Sequence, residues 1–151
     1  MASDEYFMKE ALEEAQKAYE LGEVPVGAVI VVDGEIIARA YNIKETTNDP
    51  TAHAEIVAIR QAANALGAWR LTDATLYITK EPCVMCCGAI INARIKRVVY
   101  GCNDSKGGGA LSLYRILQDP RLNHQVEIKH GILEKECREI LQRFFRELRN
   151  Q

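Results

Sequence analysis

The first residues, Met1-Ala2-Ser3-Asp4-Glu5, lack the basic start and apolar run of a secretory leader, and no stretch approaches the roughly 20 apolar residues of a membrane span. A cytoplasmic protein with no membrane partner is therefore expected. The chain also lacks an excess of positive charge. Its formal net charge is -2 at pH 7, so any contact with nucleic acid has to come from a local patch or from shape. An even cysteine complement is missing as well: of 5 cysteines, three crowd at Cys83, Cys86 and Cys87, while Cys102 and Cys137 stand alone. A disulfide scaffold explains that pattern poorly, and a metal site in a reducing compartment explains it well. Linkers, repeats and low-complexity segments are absent too. With 48% hydrophobic and 26% charged residues, the 151 residues are expected to form one domain, 1–151, with a core that needs no staple.

The chain does carry clear periodicity. Met8, Ala11, Leu12, Ala15, Ala18 and Tyr19 recur at the spacing of one helix face, which predicts a helix over 4–21. Residues 26–32 and 35–41 are β-branched runs separated by Asp33-Gly34, the dipeptide of a two-residue hairpin turn, and predict an antiparallel pair. Asp49-Pro50-Thr51 offers cap residues and a first-turn proline to a helix over 52–66 that Gly67 ends, placing His53 at a helix start. A strand over 74–79, a helix opened by Pro82 and running to about 93, and a strand over 97–101 imply parallel pairing under helical cover. Beyond the Gly-rich loop 105–109, a short helix over 111–117 and a last strand near 126–130 are expected. Leu133, Cys137, Ile140, Leu141, Phe144, Phe145 and Leu148 form one apolar stripe on a terminal helix.

The chemistry concentrates in two short segments thirty residues apart, His53-Ala54-Glu55 and Glu81-Pro82-Cys83-Val84-Met85-Cys86. Cys83 and Cys86, three apart, share one helix face and can reach one ion, with His53 arriving from another element. Three protein ligands leave a zinc ion's fourth position to water, which the metal turns into a nucleophile near neutral pH, so hydrolysis is the first hypothesis. Two helix N-termini pointed at the same place would favour thiolate over thiol. Glu55 lies two residues from His53, on the opposite side of a regular helix, and is better cast as an acid/base group than as a ligand. Two thiolates already offset the charge of the ion, so a carboxylate that takes the water's proton becomes necessary.

The combination H-x-E with P-C-x-x-C is the signature of zinc nucleobase deaminases. Across its whole length the chain resembles the bacterial tRNA-specific adenosine deaminase family. The strongest pieces are Glu23-Val24-Pro25-Val26-Gly27-Ala28-Val29, Asp49-Pro50-Thr51-Ala52-His53-Ala54-Glu55, Glu81-Pro82-Cys83-Val84-Met85-Cys86 and Asn123-His124-Gln125-Val126-Glu127. The resemblance implies a three-layer α/β/α cytidine-deaminase-like fold around a central mixed five-stranded sheet. It also implies one zinc ion per subunit on His53, Cys83 and Cys86, with Glu55 as proton shuttle. The target adenine is then held near Val26, Asn42 and Ala54. The loop bearing Asp104 and Lys106, together with Asn123, meets the flanking nucleotides of a tRNA anticodon stem-loop, arginine tRNA above all. A homodimer in which both subunits shape each substrate groove is implied as well.

The sequence departs from the family pattern at Lys80, where an apolar residue commonly precedes Glu-Pro-Cys, at Cys87, where a small residue is usual, and at Gly107-Gly108-Gly109, which makes the substrate loop permissive. Other readings compete. C-x-x-C at a helix start is also the thioredoxin-like redox arrangement, although that leaves His53 and Glu55 unexplained. Guanine deaminase shares the zinc motif, and a zinc-stabilised RNA-binding subunit without turnover would share the ligands but has no need of Glu55. Cys87, Cys102 and Cys137 read as small buried hydrophobes. Arg143, Arg146 and Arg149, at successive threes, read either as part of a solvated face or as a row of phosphate contacts.

Overall fold

The computed structural model describes residues 2–151. Helix α1 (Asp4–Glu20) begins where the Ser3 side chain accepts from the Tyr6 N–H, and carries Asp4 and Glu5 in its first turn, where acidic groups oppose the helix dipole. Strands β1 (Gly27–Val32) and β2 (Glu35–Tyr41) follow. They are antiparallel and joined through Asp33 (φ 52°) and Gly34 (φ 78°), the doubly positive φ that makes Asp-Gly favourable in a two-residue turn. A four-residue helix α2 (Lys44–Thr47) comes next, which periodicity could not show, and then helix α3 (Ala54–Leu66). Helix α3 starts two residues later than expected, because Pro50 and Thr51 belong to a preceding turn in which the Asp49 carboxylate accepts from the Thr51 N–H at 2.8 Å.

Strand β3 (Thr75–Lys80), helix α4 (Val84–Asn92) and strand β4 (Arg97–Cys102) form the expected parallel unit, and β5 (Glu127–His130) pairs parallel to β4. The five strands lie in the order β2-β1-β3-β4-β5, a mixed sheet with antiparallel pairing on one side and parallel pairing on the other. Alternate strand residues go to two cores. Ala28, Ile30, Leu76, Ile78 and Val98 pack with Ala58 and Ala62 of α3 and Ile90 of α4. Val29, Val31, Tyr77 and Val99 pack with Phe7, Met8 and Ala11 of α1 and with Cys137 of the terminal helix α5 (Glu134–Arg149). The period of two thus supplies an apolar face to each helical layer.

Two expectations fail locally. The helix over 111–117 is only a 3₁₀ turn, Ile116–Gln118, because the N–H groups of Leu113 and Ile116 donate to Gly108 O at 3.0 Å and Gly109 O at 2.9 Å, further back than the i−4 carbonyl of a helix. The stripe on α5 is buried at Cys137 and Ile140, but Phe145 and Leu148 are exposed, since α5 runs past the sheet that would have covered them. Among the described residues, no helix is long and apolar enough to cross a membrane.

Candidate active site

The parallel unit fixes where the chemistry gathers. Strands β3 and β4 end together, Lys80 opposite Cys102, and α4 begins just beyond β3. Cys83 is the extended N-cap of α4 (φ -76°, ψ 177°) and not part of the helix that Pro82 was expected to open, while Cys86 is the third helical residue. An N-cap side chain faces the third residue of its own helix, so the two sulfurs converge. His53 is likewise the extended N-cap of α3 (φ -69°, ψ 155°). The argument from opposite helix sides therefore does not apply to Glu55. What separates it from His53 is the turn of the chain into α3, which takes Glu55 into the interior at 4% exposure.

His53 Nδ1 lies 3.6 Å from Cys83 Sγ and 3.5 Å from Cys86 Sγ, and the three ligand atoms can hold one metal ion. His53 bonds no amide of α3, while the Cys86 N–H helps to hold the Cys83 sulfur as thiolate. The N-termini of the two helices add positive potential at the site. Without an ion, the first negative charge settles on Cys83. The Cys86 thiol and His53 both donate to its sulfur, and although burial opposes this, its pKa falls to about 3. The neighbouring Cys83 and burial then push the Cys86 thiol far up, and contact with Cys83 raises His53. Burial raises the Glu55 carboxyl above the ordinary carboxylate range, a shift that would suit an acid/base group. All five cysteines are free thiols, and Cys87, Cys102 and Cys137 are buried as expected.

A cavity of about 220 Å³ opens onto this cluster, lined by Val26, Asn42, Ala54 and Glu55 among others. It is smaller than the roughly 300–1,000 Å³ of drug-sized pockets and matches one heterocyclic base better than a whole nucleotide. Asn42 is 7% exposed and held at both ends of its amide: Nδ2 donates to Val24 O at 3.2 Å and Oδ1 accepts from the Lys44 N–H at 3.2 Å. Asp104 sits at the rim, bonded to the N–H groups of Lys106 and Gly107, and Lys106 is exposed. Asn123 is not brought to the cavity. It precedes β5, whose first residue pairs with Arg97 at the start of β4, and the adjacent His124 bonds Ile95 O at the end of the sheet away from the cluster.

Two buried carboxylates escaped the sequence reading. Glu81, 1% exposed, accepts from the N–H groups of Asp104, Ala110, Leu111 and Ser112 at 2.8–3.2 Å, and from the Ser112 hydroxyl. Glu23, also 1% exposed, accepts from the N–H groups of Glu45 and Thr46 at the start of α2. Glu23 thereby fixes α2, whose Lys44 lines the cavity, and Glu81 fixes the loop whose Asp104 pairs with Lys80 at the cavity edge. A Cβ at Gly108 would stand 2.3 Å from the Glu81 carboxyl carbon, so the Gly run is a matter of close approach, and the permissive loop is in fact tied down. The signal was present in the polar first residue of Glu-Pro-Cys, but its partners lie more than twenty residues away.

Comparison with known proteins agrees with the geometry. The model of the MafB19-like deaminase family matches residues 1–149. A protein of Bacillus subtilis (strain 168) named tRNA-specific adenosine deaminase is 54% identical over 151 residues, covering 100% of this chain and 94% of its own. The chain belongs to the tRNA-specific adenosine deaminase family. A solved structure from work on A-to-I editing by tRNA:A34 deaminases at the wobble position of transfer RNA superposes on this deaminase with a TM-score of 0.87. It is 50% identical and covers 90% of this chain and 99% of that one. A guanine deaminase from Nitrosomonas europaea shares the fold at a TM-score of 0.80 and 22% identity, covering 95% of this chain and 85% of that one. The redox and turnover-free readings of the cysteine pair are set aside, since the chain is a deaminase.

Proposed function

We propose that this deaminase converts adenosine to inosine at the wobble position of a tRNA anticodon, with arginine tRNA as the preferred substrate and one zinc ion per subunit on His53, Cys83 and Cys86. The observation that carries the reading is the pair of S···N separations, 3.6 and 3.5 Å, beside a buried carboxylate. Bonds of about 2.3 Å to sulfur and about 2.0–2.1 Å to nitrogen at a tetrahedral angle require an S···N separation of about 3.5–3.6 Å. The residues present therefore fit zinc, which when bound supplies a polarised water at its open position.

With zinc held there, Glu55 would take a proton from water as its oxygen attacks C6 of the ring, and would pass that proton to N1. A second transfer through Glu55 goes to the amine, so that ammonia departs and inosine remains. The clamped Asn42 amide keeps one N–H and one lone pair free for the edge of the base, between the apolar walls Val26 and Ala54. The cavity admits a base only after extrusion from a stack, and a loop base meets that requirement at least cost. Asp104 and Lys106 at the rim are assigned to the flanking nucleotides. Asn123 is assigned to RNA outside the cavity, in the groove that the two subunits of a homodimer form together. Val84, Met85, Leu113 and Tyr114, all exposed near the site, support such a dimer by offering it an apolar face.

The experiment is incubation of purified protein of known zinc content with an arginine tRNA transcript bearing adenosine at the wobble position, with free guanine, cytidine and adenosine in parallel. Inosine at that one position is expected. Deamination of guanine alone would keep the chemistry and overturn the tRNA assignment.

A further inference from the structure

Lys80 departs from the family pattern, and the structure gives the departure a place. It is the last residue of β3, lines the cavity with His53, Glu55 and Cys83, and keeps a third of its side chain exposed. Its Nζ lies 3.2 Å from Asp104 Oδ2. The other Asp104 oxygen is already occupied by the N–H groups of Lys106 and Gly107, at 3.1 and 3.2 Å. Lys80 thus has an ammonium with one donor engaged and two free, at the edge of a cavity that holds only a base. A base in that cavity stays tied to its ribose, so the phosphodiesters on either side of it remain at the mouth. There they meet the Asp104 carboxylate, and like charges at close range repel. Of the residues lining the cavity, the lysines are Lys44 and Lys80, and Lys80 is the one paired with that carboxylate.

We propose that Lys80 is a substrate-binding residue whose ammonium bridges Asp104 and a phosphodiester flanking the extruded adenosine, a role that rests on the RNA-deaminating function proposed above. In the free protein the ion pair holds the rim loop. On binding, the two free donors turn to phosphate, and the carboxylate becomes a shared partner instead of a repelling one. A lysine serves here as a point charge with rotatable donors, which suits a bridge between two anions that do not lie in one plane.

The test compares the parent zinc enzyme with Lys80→Met, which keeps the aliphatic stem, and Lys80→Arg, which keeps the charge. The substrate is a hairpin RNA with adenosine at the wobble position of its loop. Lys80→Met is expected to raise KM about tenfold, the scale of one charge-assisted hydrogen bond, with kcat within about twofold. The slope of log kcat/KM against log salt should shrink in magnitude by about 0.7, the value of one phosphate contact on single-stranded nucleic acid. Lys80→Arg should recover most of both, and Lys80→Met should approach the parent at high salt, where a phosphate contact is screened. An unchanged KM and salt slope in Lys80→Met, or a loss confined to kcat at every salt concentration, would overturn the proposal. The second result is what mere loosening of the rim loop would produce. If Lys80→Met fails to fold, an Arg variant without the parent's KM and slope overturns the proposal as well. Absence of inosine from the parent enzyme would remove the function reading and this one with it, whereas inosine from the parent beside an unaffected Lys80→Met removes this one alone.

Discussion

Replacing Glu81 by Gln asks what the buried carboxylate contributes. Its Oε2 accepts from three amides, Ala110, Leu111 and Ser112, and its Oε1 from the Asp104 amide and the Ser112 hydroxyl. A glutamine amide fits best with its oxygen toward the three amides. Its NH₂ group then faces the Asp104 N–H, donor against donor, while the Ser112 hydroxyl turns round to accept. The variant thus loses one charge-assisted bond outright and weakens three more. At about 1.5–3 kcal/mol for a hydrogen bond to a charged group, the expected loss is about 2–3 kcal/mol. That corresponds to a melting temperature lower by about 5–10 °C for a chain of this size.

The pH dependence supplies an internal control. Burial works against ionisation of Glu81, but the Ser112 hydroxyl and the amides of Asp104, Leu111 and Ser112 outweigh it, and the folded pKa is lowered. A depressed folded pKa contributes stability above the unfolded carboxylate's pKa and loses it as pH falls through the folded value. The gap between parent and Glu81→Gln should therefore be full at pH 7 and shrink on acidification below about pH 4. Urea unfolding at fixed excess zinc, at both pH values, reads it. A gap under about 0.5 kcal/mol at neutral pH, or one that does not change with pH, would refute the account of the loop.

If Glu55 is the proton shuttle proposed above, Glu55→Ala reduces inosine formation by at least about 10²–10⁴-fold while the zinc content by metal analysis stays that of the parent. Cys83→Ala, and chelation of the parent, should each remove the metal and lower the melting temperature measured by calorimetry, since ligation by residues of two different elements is linked to folding. Arg143 lies over the Tyr19 ring at 4.6 Å and donates to Gln16, so it is engaged with its own chain at the surface. Arg143→Ala should cost about 0.5–1 kcal/mol in urea unfolding and leave the salt slope of RNA turnover unchanged.

The parts of this molecule legible in its sequence are those determined by near neighbours. Asp33-Gly34 specifies a turn within itself, the unbroken apolar run of β1 reports two covered faces, and Cys83 and Cys86 meet because they lie three apart. His53, Cys83, Cys86 and Glu55 could be picked out for the same reason, and only the meeting of the two segments had to be inferred. What was hidden depends on partners far along the chain. Residues 111–117 have helical spacing, yet they follow a loop pinned to a carboxylate thirty residues earlier, and the Ile116 N–H goes to Gly109 O outside the segment. Phe145 continues an apolar stripe, but whether a stripe is covered depends on where the sheet ends. Asn123 belongs to a family motif, and its distance from the cavity follows from the register of β5 on β4.

Glu81 recognises the loop it holds through main-chain amides, with a single side-chain hydroxyl in addition. Such a hold is indifferent to what the loop displays. Positions 105 and 106 are therefore open to rewriting, on condition that 108 stays glycine and that no proline removes an amide at 104, 106, 110, 111 or 112. The loop beside the cavity is in that sense an interchangeable part on a permanent mount, whose display can be varied without disturbing Cys83, two residues beyond Glu81.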